Sequence, residues 1–101
     1  MNLFETEHAQ LARRLADKLG GVYGNEKISC ELWAHEARIL VKESNEKHIR
    51  WRATIDATQR SLITTLLLRA KDGTGFIPML DGSAAELEAA IDKLIAERKT
   101  A

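Results

Sequence analysis

Between Ile49 and Ile55 every second residue is apolar (Ile49, Trp51, Ala53, Ile55), and the residues between them are Arg50, Arg52 and Thr54. A period of two is the repeat of a β-strand with one face buried and one face wet. Such a strand is not stable alone: its backbone needs neighbouring strands and its apolar face needs a cover. Whatever the chain folds into must supply both within 101 residues.

The neighbours are visible downstream. Residues 61–69, Ser-Leu-Ile-Thr-Thr-Leu-Leu-Leu-Arg, are apolar on both parities and include β-branched residues, as suits a strand covered at least partly on both sides. Residues 76–80, Phe-Ile-Pro-Met-Leu, form an optional further strand, and Pro78, which has no N–H to give a ladder, places it at an edge. Upstream, residues 27–44 fit two structures. Ile28, Cys30, Leu32 and Ala34, then Ile39 and Val41, read as two strands joined at His35-Glu36; Cys30, Trp33, Ala34, Ala37, Leu40 and Val41 also fall on a helical three-four spacing. Two strands are preferred, because a meander connects simply to the strands that follow.

The cover comes from the ends of the chain. Asn2 with Glu5 resembles a capping box, and Phe4, Leu11, Leu15 and Leu19 recur at helical spacing with His8 in one slot, so a helix is predicted over residues 3–19, closed by Gly20-Gly21. Ser83 with Glu86 forms a second capping box after the Asp81-Gly82 turn, and Leu87, Ile91, Leu94 and Ile95 mark a second buried stripe. The expected fold is therefore α+β, a two-layer sandwich in one domain over residues 1–101. It has an N-terminal helix, an antiparallel meander of about four strands with a possible fifth at the edge, and a C-terminal helix, both helices on one sheet face.

Composition agrees with one packed core: 45% of residues are hydrophobic and 30% charged. No apolar run approaches the ~20 residues of a membrane helix, and Met1-Asn2-Leu3-Phe4-Glu5 lacks the order of a signal peptide, so a cytoplasmic protein with no membrane partner is expected. Cys30 is the single cysteine, which excludes an internal disulfide and a closed cysteine-based zinc site.

Chemistry-bearing residues are scattered. His8, His35 and His48 lack the i, i+4 spacing of a metal site, and no metal or cofactor is expected. His8 on an apolar stripe reads as a core histidine satisfied by one hydrogen bond, and Cys30, alternating with Ile28 and Leu32, as a buried structural thiol. Ser29 and Ser61 lack a nucleophile elbow. Gly20-Gly21-Val22-Tyr23-Gly24 and Asp72-Gly73-Thr74-Gly75 lack the strand-to-helix setting of a phosphate cradle and read as turns. No catalytic residue is assigned, although Asp56, Glu31 or His35 could do acid–base work in a cleft that the sequence does not reveal.

Charge is less evenly spread than composition suggests. Residues 47–71 carry Lys47, Arg50, Arg52, Arg60, Arg69 and Lys71 against Asp56 alone, a local balance of +5 in a chain of net charge zero. Arg50, Arg52 and His48 share the parity opposite Trp51 and so lie on the sheet face away from the helices. In the two-strand form, Trp33, Leu40, Ile63 and Leu67 point to that face as well. Aromatic, aliphatic and arginine side chains side by side are the composition of a protein interface. The expected function is a small non-enzymatic interaction domain (adaptor, accessory or inhibitor) whose open face, Trp33, Leu40, Arg50, Arg52, Ile63 and Leu67, meets a second copy of itself or another protein. Single-stranded nucleic acid held by Arg50, Arg52, Trp33 and His48 is the alternative, and a solvated face neutralised by Glu31 and Glu43 is the simplest account of the same charges.

Overall fold

The computed structural model describes residues 6–42, 49–70 and 74–100. Helix α1 (Glu7–Tyr23) is followed by a single 3-10 turn (Asn25–Lys27). Five strands come next: β1 (Ile28–Leu32), β2 (Glu36–Lys42), β3 (Ile49–Asp56), β4 (Ile63–Arg69) and β5 (Phe76–Gly82). Helix α2 (Ala84–Thr100) closes the chain. The strands form one antiparallel sheet in the order β1-β2-β3-β4-β5, each paired with its sequence neighbour. Both helices pack on one face, α1 over β1 to β3 and α2 over β4 and β5. The expected two-layer α+β fold is the observed one, and the optional edge strand is real.

Alternation explains the sheet. Ala37, Ile39 and Val41 on β2, Trp51, Ala53 and Ile55 on β3, and Leu66 on β4 are all buried beneath Leu11, Ala12, Leu15 and Leu19 of α1 and Leu87 and Ile91 of α2. Each large aliphatic side chain so buried contributes about 1.5–3 kcal/mol relative to an exposed one. Residues 28–42 are a hairpin rather than a helix. The turn is Trp33-Ala34-His35, slightly earlier than His35-Glu36, and the Trp33 N–H donates to the Glu36 carbonyl at 2.8 Å. The earlier turn places Glu36 in β2 opposite Asp56, while Ile39 and Val41 face the helices as the two-strand form expects.

The first helix differs from its sequence expectation at both ends. It starts at Glu7 on an N-cap from Thr6, whose hydroxyl accepts from the Ala9 N–H at 3.2 Å; Asn2 and Glu5 lie outside the described residues. It also runs through Gly20-Gly21 to Tyr23, ending at Gly24, whose φ of 99° is the positive value a glycine tolerates. Gly20 is buried in the helix for a different reason: a Cβ there would collide with the Asn25 side chain. The second capping box is as expected, with Ser83 Oγ accepting from the Glu86 N–H and the Glu86 carboxylate accepting from the Ser83 N–H, both at 3.2 Å.

The helices run side by side in the same direction. Glu88 of α2 accepts from Arg14 and Lys18 of α1, both at 2.8 Å, and Asp92 accepts from Lys18 at 3.1 Å. Two cations hold the Glu88 carboxyl down to about 2. Among the described residues, no helix is long and apolar enough to cross a membrane.

Candidate protein-interaction face

The sheet face opposite the helices is made of the residues that alternate with the core. Register arranges them in rows across the strands. Toward the β1–β2 turn, Glu36, Asp56 and Ile63 lie opposite one another, with Trp33 in the turn beside them. Next come Glu31, Arg38, Thr54, Thr65 and Asp81, then Ser29, Leu40, Arg52, Leu67 and Pro78. At the far end Arg69 faces Phe76. Val41 pairs with Trp51 and Lys42 with Ile49, so Arg50 is the extra residue of a bulge and is exposed at that same end.

The six residues expected on this face separate into two groups. Leu40, Arg52 and Leu67 are consecutive in one row and half-buried against one another, and Arg50 stands beyond them. Trp33 (43% exposed) and Ile63 (39%) lie at the opposite end. His48 falls outside the described residues, as does Glu43; Glu31 does lie beside a cation, but that cation is Arg38.

The two ends differ in their chemistry. Around the turn the charges are matched within the chain: the Glu36 carboxylate accepts from Arg38 Nε at 2.9 Å, and the Arg38 guanidinium sits 5.1 Å from the Trp33 ring. At the far end, Phe76 is flanked by two guanidinium groups, Arg69 at 5.1 Å and Arg52 at 5.5 Å. Arg69 also donates to the Ile49 carbonyl at 2.8 Å, which holds it over the sheet. Arg52 has no carboxylate partner among the described residues, and its buried Nε–H has no acceptor. Sequence reasoning overlooked Phe76, Pro78 and Arg69 as parts of this face. The available signal was that Phe76 and Pro78 share a parity, obscured because β5 was optional and because a bulge shifts its register past Leu66.

Of the three groups named for acid–base work, His35 and Asp56 are brought to one depression and Glu31 is not. This depression, of about 650 Å³ at the β1–β2 turn, is lined by Glu36 and Trp33 as well. Asp56 accepts from the hydroxyl and N–H of Thr58, at 2.6 and 2.8 Å, and these bonds hold its carboxyl below the usual range, the opposite of a general acid. His8 is buried, as expected, and its ring bonds the Trp33 carbonyl through Nε2 at 2.8 Å. Cys30 corrects its expectation: it shares the helix-facing parity of Ile39 but is exposed, because β1 is an edge strand and α1 does not cover its rim. Partial burial nonetheless pushes its thiol up, unlike an activated nucleophile. Among the described residues, no three of His, Cys, Asp and Glu group to hold a metal.

Comparison with known proteins returns no matching family model, no matching curated protein and no matching solved structure.

Proposed function

We propose that the chain is a small non-enzymatic protein-interaction domain whose open sheet face binds a partner presenting carboxylates among apolar side chains. The observation that supports this is Arg52: a guanidinium held in a row with Leu40, Leu67 and Pro78, with no carboxylate partner among the described residues, next to Phe76 and Arg69. A cation with an unanswered charge in an apolar setting is a specific attachment point, because a bidentate carboxylate satisfies its donors while the flanking side chains lose water. The basic end favours an acidic partner over a neutral one.

Fluorescence polarisation with labelled peptides alternating Asp or Glu with Leu or Phe, against sequence-matched Lys peptides and single-stranded oligonucleotides, tests this on the full chain. The acidic peptides should bind, and R52E combined with R69E should weaken them by at least tenfold. Binding confined to oligonucleotides, falling steeply with salt, would replace the proposal with a nucleic-acid one. A doubled solution mass that only open-face variants such as R52E or L67D abolish would assign the face to a second copy of the chain.

A further inference from the structure

We infer that the chain dimerises through the free edge of β1, joining two sheets into one about a two-fold axis at Cys30. This surface is separate from the open face and does not rest on the function proposed for it.

The two edges of the sheet are unlike. The β5 edge carries Pro78 and a bulge, both of which obstruct the addition of a strand. The β1 edge has no proline, lysine or bulge. Its backbone polarity follows from the hairpin. Trp33 N–H points into β2, and hydrogen-bonded pairs alternate along an antiparallel ladder, so Glu31 and Ser29 also bond inward. Cys30 and Leu32 therefore direct their N–H and C=O outward, as Ile28 does its C=O; the Ile28 N–H is used by the Asn25 carbonyl.

The edge is complementary to itself in one register. With the axis at Cys30, the two Cys30 residues exchange N–H···O bonds, and each Leu32 N–H meets the carbonyl of the partner's Ile28. Ile28 packs beside the partner's Leu32, and Glu31 falls opposite the partner's Ser29. An axis at Glu31 would instead set carboxylate against carboxylate.

Helix α1 supplies an independent match. His8 bonds Trp33, which fixes the level of the helix along β1. Three strand residues back from Trp33 is roughly 10 Å, the rise of about seven helical residues, so Cys30 lies level with Leu15. Arg13 and Asp17 stand two residues to either side of that level, and both fields reach the Cys30 thiol. A two-fold axis there brings Arg13 level with the partner's Asp17, and Asp17 level with the partner's Arg13. Because α1 lies over β1 and β2, its distance from its symmetry mate is that of two packed helices, ~8–10 Å.

The test is solution mass by light scattering on the full chain over a range of concentration, with three variants and a thiol cross-linker. A mass near twice 11.3 kDa is expected. A short bis-maleimide should join two chains through Cys30. C30P should be monomeric yet folded by circular dichroism, since the lost N–H serves no bond within its own sheet. S29E, which sets Glu opposite Glu twice, should raise the dissociation constant about tenfold, and S29K should lower it. S29E and S29K keep the test decisive should C30P fail to fold. A monomer at every concentration, or a dimer indifferent to S29E and C30P but split by R52E, overturns the inference.

Discussion

Among the described residues, Trp51 is the largest fully buried side chain, and its indole N–H has no acceptor. Its position was plain from the alternation of β3; the orphaned donor was not, because it depends on which groups the covering helices bring over the ring. An unpaired buried donor costs about 1–3 kcal/mol, which offsets part of the packing the ring provides. W51A should therefore lose about 3–5 kcal/mol in urea unfolding, whereas W51F, which sheds the donor and keeps a ring, should lose about 1–2 kcal/mol. Equal losses would show that the donor is satisfied in solution. Arg52 was legible in the same way, by parity. That no described residue answers its charge was not, since that follows from the register of β2 and β4 beside it.

At the scale of elements, the sequence was readable wherever one periodicity held over a whole segment, as in β3 and in the Leu87 to Ile95 stripe of α2. It misled at α1. Asn2 and Glu5 resemble a cap, and Gly20-Gly21 resembles a stop, but Gly20 is a glycine because Asn25 packs against its backbone, a contact made after the chain has turned. The α1–α2 pairing was not legible at all, because Arg14, Lys18, Glu88 and Asp92 lie on ordinary charged helix surfaces until the sheet sets the helices side by side. This pairing is pH-dependent. The Glu88 carboxyl is lowered to about 2, so its contribution is complete above the ordinary glutamate pKa near 4.3 and fades as pH falls toward 2. E88Q should lower the melting temperature by no more than a few degrees at pH 7, less in high salt, and the difference from wild type should vanish near pH 2. A difference that persists there would assign the effect to packing instead.

Across the whole molecule, every strand pairs with its neighbour in sequence, and the two helices lie side by side over one face of that meander. Strands β2, β3 and β4 are paired on both sides and sit under the helices, so their inward amides should exchange hydrogen only through global opening. The Cys30 and Leu32 amides should exchange fast in dilute protein and slow as its concentration rises; concentration-independent exchange would leave the β1 edge free.

The parallel setting of α1 and α2 has an electrical consequence. Both N-termini lie over the end of the sheet that carries Glu36 and Asp56, and both C-termini over the end with Lys42, Arg50 and Arg69. Two aligned macrodipoles reinforce each other, with partial positive charge at one end and partial negative charge at the other. The side chains of the opposite layer are ordered in the reverse sense. The helix dipoles therefore oppose the charge gradient of the open face. Reversing Arg52 and Arg69 would leave the dipoles of the helices less opposed.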